Sequence, residues 1–409
     1  MSAHMSSSQS FRNFCWISAA ALLCLPWLLL AILHGMSLPP LTVALLAGSA
    51  IIGGAFVLSW GTELAERDIP QSLALVFLAL VSVLPEYAVD LHFAWKAGKE
   101  PAYAAYAVAN MTGANRLLIG LGWAAVVLIA CARGRTREIR IDPRQRLEIR
   151  FLLLATLYSF LIPLGGSISL LDAAVLLLLF VAYVAAAMRS PHEEAPLVGP
   201  AAMIDREFGA WGRRFWVFGF FVFAAYAIFV SAEPFAESLV EIGKQIHVDE
   251  FLLVQWVAPL ASEAPEFTIA ILFALRMRGT IGIGALISSK VNQWTLLVGA
   301  IPIAYCLSAG RLAGLPLDAR QTEELLLTSA QSLLATLWIS DLQFSRREAL
   351  VLAGLFVGQL LFPHSLVRGV FIGVYLLLAA GFLYRRPAER SAILRLLWPG
   401  TRSSKDSAS

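Results

Sequence analysis

Apolar stretches near or above the length needed to cross a bilayer, about 20 residues, recur along almost the whole chain. They lie near residues 14–35, 41–62, 70–95, 103–131, 147–163, 168–188, 214–242, 249–275, 281–307, 321–340, 347–362 and 366–384. This pattern predicts an all-α polytopic membrane protein of about twelve transmembrane helices. Polar residues collect in the joints and at the two ends, MSAHMSSSQS and TRSSKDSAS. The stretch 14–35 reads as a retained helix rather than a signal-peptide core. Only Arg12 precedes it closely, Pro26 interrupts it, and no small-x-small cleavage site ends it.

One connection stands out as a linker, RSPHEEAPLVGPAAMIDREFGAWGR at 189–213, rich in Pro, Gly and charge. Motifs echo across it. SVLPEY at 82–87 and SEAPEF at 262–267 share a Ser-x-x-Pro-Glu-aromatic frame. IDPRQ at 141–145 answers LDARQ at 317–321, and GANRLLIGLG at 113–122 answers KVNQWTLLVG at 290–299. The chain therefore reads as a diverged duplication of a five-helix unit, with one extra helix at each end. The expected layout is a tail and extra helix in 1–38, a first repeat in 39–188, the cytoplasmic linker in 189–213, a second repeat in 214–362, and an extra helix with a basic tail in 363–409. Five is odd, so the second unit enters the membrane from the opposite side and the repeats are inverted. Inverted repeats with Pro-interrupted segments in matching places point to a secondary transporter with its site near the midplane.

Composition agrees: 58% of residues are hydrophobic and 14% charged, where a soluble domain carries roughly 25% charged residues. Arg133, Arg135, Arg137, Arg140, Arg144 and Arg146 crowd the loop after the fourth stretch. Cytoplasmic loops are enriched in Lys and Arg, so both termini are expected in the cytoplasm, with the protein in the cell inner membrane. Topology accounts for the net charge of +3 without a nucleic-acid partner. The partners implied are the bilayer and small inorganic cations. Cys15, Cys24, Cys131 and Cys306 lack metal-type spacing. No nucleotide, zinc-protease or nucleophile-elbow motif occurs, so neither an enzyme nor a cofactor is expected.

The duplicated motif carries the chemistry. A proline within a membrane helix frees the carbonyl four residues before it, that of Val81 for Pro85 and of Ala261 for Pro265. Beside each proline stands an acid, Glu86 or Glu266, with a serine one turn earlier on the same helical face, Ser82 or Ser262. Carboxylate, hydroxyl and freed carbonyl form an all-oxygen set suited to hard cations such as Ca2+ or Na+. Intramembrane acids are costly and mark functional sites. Glu263 adds a third acid three residues before Glu266, and Asp90 lies one turn after Glu86. Crowded, buried carboxylates make proton binding in competition with a metal plausible. Glu233, Glu237 and Glu241 form a stripe along one helix face, as Glu63 and Glu66 do near the end of the first unit's opening helix. Each reads either as a cation-recruiting stripe or as a solvated helix end. His92 reads as a proton relay or as an interfacial side chain.

These motifs resemble those of the sodium/calcium exchanger superfamily of cation antiporters, some of whose members exchange protons. Its two alpha-repeats each carry a G-T-S-x-P-E-like motif and, on the next helix, a G-S-N-x-x-N-like motif. The resemblance spans roughly 41–362. It implies ten core helices in inverted five-helix units, alternating access around a central site, and Glu86 and Glu266 as the paired ion-binding glutamates. The second motif departs from the pattern. MTGANR at 111–116 sets Thr112 against the family's Ser and Arg116 against its final ion-binding Asn. SSKVNQ at 288–293 keeps Ser289, has Gln293 in place of Asn or Asp, and sets Lys290 beside them. Asn115 and Asn292 match each other and are alternative ligands.

The expected function is a secondary-active antiporter exchanging Ca2+ or a similar cation for Na+ or H+. Ser82, Ser262, Ser289, Asn115, Asn292 and Gln293 would supply neutral oxygens, and Arg116, Lys290, Glu263, Asp90 and Thr112 would modulate the site. The basic pair leaves three alternatives open. Arg116 and Lys290 point away from the acids, or pair with Glu86, Glu263 or Glu266, or have converted the protein to another solute or to a non-transporting scaffold or sensor.

Overall fold

The computed structural model describes residues 7–32, 38–65, 67–68, 84–189, 197–362 and 364–385. Helices α1 (Ser7–Ile32) and α2 (Pro40–Ala65) come first, and α3 (Leu84–Ala97) follows. Helix α4 (Tyr103–Leu117) passes through a π-helical stretch (Leu118–Trp123) into α5 (Ala124–Gly134). Strand β1 (Glu138–Arg140) leads to α6 (Arg146–Ser159), and β2 (Ser167–Ile168) to α7 (Leu170–Ala187).

After the short helix α8 (Gly199–Glu207) the same order returns. Helix α9 (Ala210–Ile246) is followed by α10 (Glu250–Ser262) and α11 (Ala264–Leu275). Helix α12 (Gly279–Asn292) again enters a π stretch (Gln293–Leu297) before α13 (Val298–Ala309). Then come β3 (Leu315–Pro316), α14 (Ala319–Trp338), β4 (Gln343–Ser345), α15 (Arg346–Leu361) and α16 (Ser365–Arg385).

Among the described residues eight helices are long and apolar enough to cross a membrane, or nine if α10 and α11 form one span bent by 57°. The expected count of about twelve is therefore not reached, for identifiable reasons. Most of the stretch 70–95 lies outside the described residues. Helix α14 buries Gln321, Glu324, Thr328, Ser329, Gln331, Ser332 and Thr336, which dilutes its apolar character, and α15 has only 16 residues. The segment 189–213 also holds more than a linker. Pro200, in the first turn of α8, suits a helix start because its missing N–H is an orphan there.

The described residues fall into two compact units, one within Met1–Ala114, Val184–Thr268 and Ile303–Ala313, the other within Asn115–Tyr183, Ile269–Pro302 and Gly314–Ser409. In the first unit, α2 packs against α1 on one side and α9 on the other. Close approach to α1 depends on Gly53, where a Cβ would meet the Ala20 carbonyl oxygen and Cys24 Sγ. Helix α9 has 37 residues, about 55 Å at 1.5 Å per residue, well beyond a 30 Å hydrocarbon core. Its start is anchored by Arg213, which donates to both oxygens of Asp68 at 2.7 and 2.9 Å and to Asp205 at 2.8 Å. Hydrogen bonding from Arg213 holds the Asp68 carboxyl below the usual carboxylate range. The clamp's contribution is thus present above the ordinary carboxylate pKa and is lost only as the pH falls through the lower folded value.

In the second unit β1 pairs with β4 and β2 with β3, both antiparallel. Counting five spans per half, β1 and β3 lie in the third-to-fourth connections and β2 and β4 in the fourth-to-fifth. Two repeats of the same orientation would put their third-to-fourth connections on one membrane side. Pairing a third-to-fourth connection with a fourth-to-fifth one requires opposite orientations. The strand pairs thus give the inversion of the repeats a physical basis.

The caps repeat as well. Asp142 accepts from Arg144 N, and Asp318 forms a capping box with Gln321, which accounts for the IDPRQ and LDARQ echo. Ser169 with Asp172 opens α7 as Ser345 with Glu348 opens α15.

Candidate functional site

The duplicated motif becomes a duplicated helix start. Helix α3 begins Leu84-Pro85-Glu86 and α11 begins Ala264-Pro265-Glu266, so each glutamate is the third residue of a helix whose second residue is proline. Proline is tolerated in a first turn, where N–H groups lack intrahelical partners. The same unpaired N–H groups and aligned peptide dipoles favour negative charge there. Between α10 and α11 the break falls at Glu263, with φ −93° and ψ 0°. In the second copy the proline therefore follows a break at the expected place, while the residues before Leu84 lie outside the described residues.

In the first unit Glu86, Asp90, Ser262 and Glu263 are buried, while Glu266 is partly exposed with its Oε2 shielded. Asn110 Nδ2 donates to Asp90 Oδ1 at 2.8 Å. Asp90 Oδ2, Asn110 Oδ1 and Glu266 Oε2 have no hydrogen-bond partner among the described residues. Ser262 Oγ donates back along α10 to the Ala258 carbonyl at 3.3 Å. Thr112 Oγ1 donates to the Val108 carbonyl at 2.7 Å and accepts from Gln255 Nε2 at 3.4 Å. Ser82 and Glu66 lie outside the described residues.

Asn110 and Gln255 are the buried amides that the motif reading passed over. Each is the lone amide side chain within an otherwise apolar or small-residue segment, YAAYAVAN and FLLVQWVAP, and that isolation was the available signal. Helices α4 and α10 approach so closely that a Cβ on Gly113 would overlap the Gln255 main-chain carbonyl. Backbone cannot yield as a flexible side chain does, and overpacking costs about 1–3 kcal/mol. Gly113→Val is expected to lower thermal stability by at least that amount and to slow transport, as read by unfolding and flux in the same preparation.

Glu237 is drawn into a different cluster. It accepts from His92 Nε2 at 3.0 Å, Lys96 Nζ at 2.7 Å and Tyr103 Oη at 2.6 Å. It therefore ties α9 to α3 and α4 and does not serve as an open cation recruiter, and His92 is a partner in that tie. Glu233 and Glu241 are exposed, as solvated helix positions would be, and Glu63 is half-buried near the Val198 N–H at 3.5 Å.

The second unit holds Asn115, Arg116, Ser289, Lys290, Asn292 and Gln293. Asn115, Arg116, Lys290, Asn292 and Gln293 are buried. Arg116 meets Glu324 of α14 at 2.5 Å, and Gln331 Nε2 donates to the Arg116 carbonyl at 3.1 Å. Arg368 of α16 approaches Glu324 at 3.7 Å and bonds Glu323 at 2.8 Å. Lys290 Nζ donates to Asn115 Oδ1 at 2.6 Å, so that amide oxygen is engaged by an ammonium. Gln293 Nε2 donates to Ser289 Oγ at 3.4 Å, while Asn292 Oδ1 has no hydrogen-bond partner among the described residues. Among those residues no group of three or more His, Cys, Asp or Glu is placed to hold a metal ion.

A family model described as sodium/calcium exchanger protein matches residues 39–189 and 216–363. The chain belongs to the sodium/calcium exchanger family. Its members are membrane transporters, and the exchanger is a cation antiporter rather than an enzyme. The chain is 46% identical to a protein whose structure is described as the H+/Ca2+ exchanger CAX, over 95% of this chain and 99% of that one, with a TM-score of 0.89. The sodium-calcium exchanger NCX_Mj, at 18% identity, covers 79% of this chain and 98% of its own, with a TM-score of 0.53. YfkE, at 15% identity, covers 85% and 98% with a TM-score of 0.61. The last two likenesses concern the fold. No curated protein matches the chain in sequence.

Proposed function

We propose that the exchanger moves Ca2+ across the cell inner membrane in exchange for protons, with Glu86 and Glu266 as the carboxylates that bind the ion. The observation that carries this reading is the duplicated helix start, Leu84-Pro85-Glu86 and Ala264-Pro265-Glu266, in oppositely oriented repeats. Two carboxylates match the charge of one divalent cation. When the ion leaves, two protons restore the same balance, so either loaded form carries no excess charge through the change of access. Ser82, Ser262, Ser289, Asn292 and Gln293 are the neutral oxygens available to complete the shell, and Ca2+ takes six to eight of them. Asp90, Glu263 and Thr112 modulate it. The 46%-identical protein described as an H+/Ca2+ exchanger supports protons as the counter-ion.

The competing scaffold reading requires Arg116 to neutralise the site acids. Its 2.5 Å contact with Glu324 supplies one counter-charge within its own unit, which supports the transport reading. The loop of Arg133 to Arg146 supports cytoplasmic termini. The deciding experiment is Ca2+ flux in liposomes containing the purified protein, driven in turn by H+, Na+ and K+ gradients. Ca2+ movement coupled to the H+ gradient is expected, and its absence under every gradient would sink the proposal.

A further inference from the structure

We propose that Lys290 is a tethered cation: its ammonium permanently fills an oxygen-lined cation position at the end of α4 and thereby keeps Na+ out of the exchange cycle. This inference rests on the antiporter reading above and goes further by assigning a residue to counter-ion choice. Helix α4 ends where the π stretch begins, at Leu118. A π stretch shifts the hydrogen-bond ladder from i+4 to i+5, and such stretches cluster at functional sites because they perturb the carbonyls around their entry.

Two main-chain carbonyls just before this stretch accept from side chains. The Asn115 carbonyl accepts from Lys290 Nζ at 3.3 Å and the Arg116 carbonyl from Gln331 Nε2 at 3.1 Å. Asn115 also offers its side-chain oxygen, 2.6 Å from the same ammonium. The Trp294 ring lies 4.4 Å from Nζ, within the range of a cation–π contact. Asn115 and Lys290 are both fully buried.

A main-chain carbonyl, an amide oxygen and an aromatic face are neutral donors to a positive charge. Hard monovalent and divalent cations take the same oxygens, so the position is chemically a cation subsite. Here the occupant is attached to α12 and cannot leave. An ion that needed this subsite would have to displace a buried, hydrogen-bonded ammonium. Protons need no such coordination shell, since they bind on the carboxylates themselves. The lysine therefore removes Na+ as a counter-ion and leaves H+ unaffected.

The test uses the purified full chain, with Lys290→Ala and Lys290→Met beside the wild type. Alanine opens space for an ion, and methionine keeps most of the stem while deleting the ammonium. Two readings are taken: the shift of thermal unfolding when choline chloride is replaced by NaCl, and Ca2+ flux driven by a Na+ gradient at clamped pH. In the variants Na+ is expected to raise the unfolding temperature and to drive Ca2+ flux on the order of tenfold faster than in the wild type, equivalent to about 1.4 kcal/mol. The wild type should show neither response. Na+-driven flux by the wild type, or variants that gain neither response, would overturn the inference while leaving H+-driven exchange standing. If the wild type moved no Ca2+ under any gradient, the antiporter reading would fail, and Na+-dependent stabilisation would still decide the role of Lys290.

Discussion

Glu266→Gln is expected to abolish Ca2+ exchange while leaving the fold intact. Glutamine keeps the shape and one carbonyl oxygen, so it fits the first turn of α11, where Glu266 Oε2 has no hydrogen-bond partner among the described residues to lose. What disappears is one of the two negative charges proposed to face a divalent ion. Unit charges 4 Å apart interact by about 4 kcal/mol at an effective dielectric of 20, and the divalent ion doubles that to about 8 kcal/mol. Even a quarter of it, about 2 kcal/mol, weakens binding roughly 30-fold. The proton half of the cycle also loses a binding group. Flux in liposomes, with unfolding temperature as the control for folding, gives the measurement. Normal Ca2+ flux by this variant would remove Glu266 from the site.

Much of this was legible because it depends on local chemistry. A proline beside a glutamate dictates a helix start or break; Glu86 and Glu266 each stand in the first turn of a helix, and the break itself is seen at Glu263. The echo of IDPRQ and LDARQ resolves into Asp142 and Asp318 as caps. Inversion followed from an odd number of spans, and the pairing of β1 with β4 gives it a physical basis.

The less legible parts depend on partners distant in sequence. Burial of Arg116 calls for an acid, yet nothing in MTGANR says that Glu324, 208 residues away, supplies it. Nothing in SSKVNQ says that the Lys290 ammonium bonds Asn115, 175 residues away. The π stretches after Leu117 and Asn292 carry no composition signal, because apolar residues serve α and π turns alike. Helix α14 was expected to span on length, and its buried polar face leaves it less apolar than the other spans.

That polar face supports the second large prediction, a strong energetic coupling between Arg116 and Glu324. Each single change, Arg116→Gln or Glu324→Gln, leaves a buried charge without the partner now 2.5 Å away. Breaking a buried pair in this way costs about 3–5 kcal/mol, whereas replacing both members can be close to neutral. The double variant Arg116→Gln/Glu324→Gln is therefore expected to be more stable than either single one. The coupling should fall at the upper end of the range of about 0.5–3 kcal/mol measured for contacting residues. Arg368 shapes the result, because it approaches Glu324 at 3.7 Å but keeps its 2.8 Å bond to Glu323 when Glu324 is neutralised. Thus α16, which lies beyond the residues matched by the family model, helps to hold Glu324 where Arg116 can use it. Arg368→Leu is expected to weaken the Arg116–Glu324 coupling without eliminating it. Thermal or denaturant unfolding of the four proteins in one detergent measures the cycle. Strictly additive losses would show that the Arg116–Glu324 contact carries no coupling.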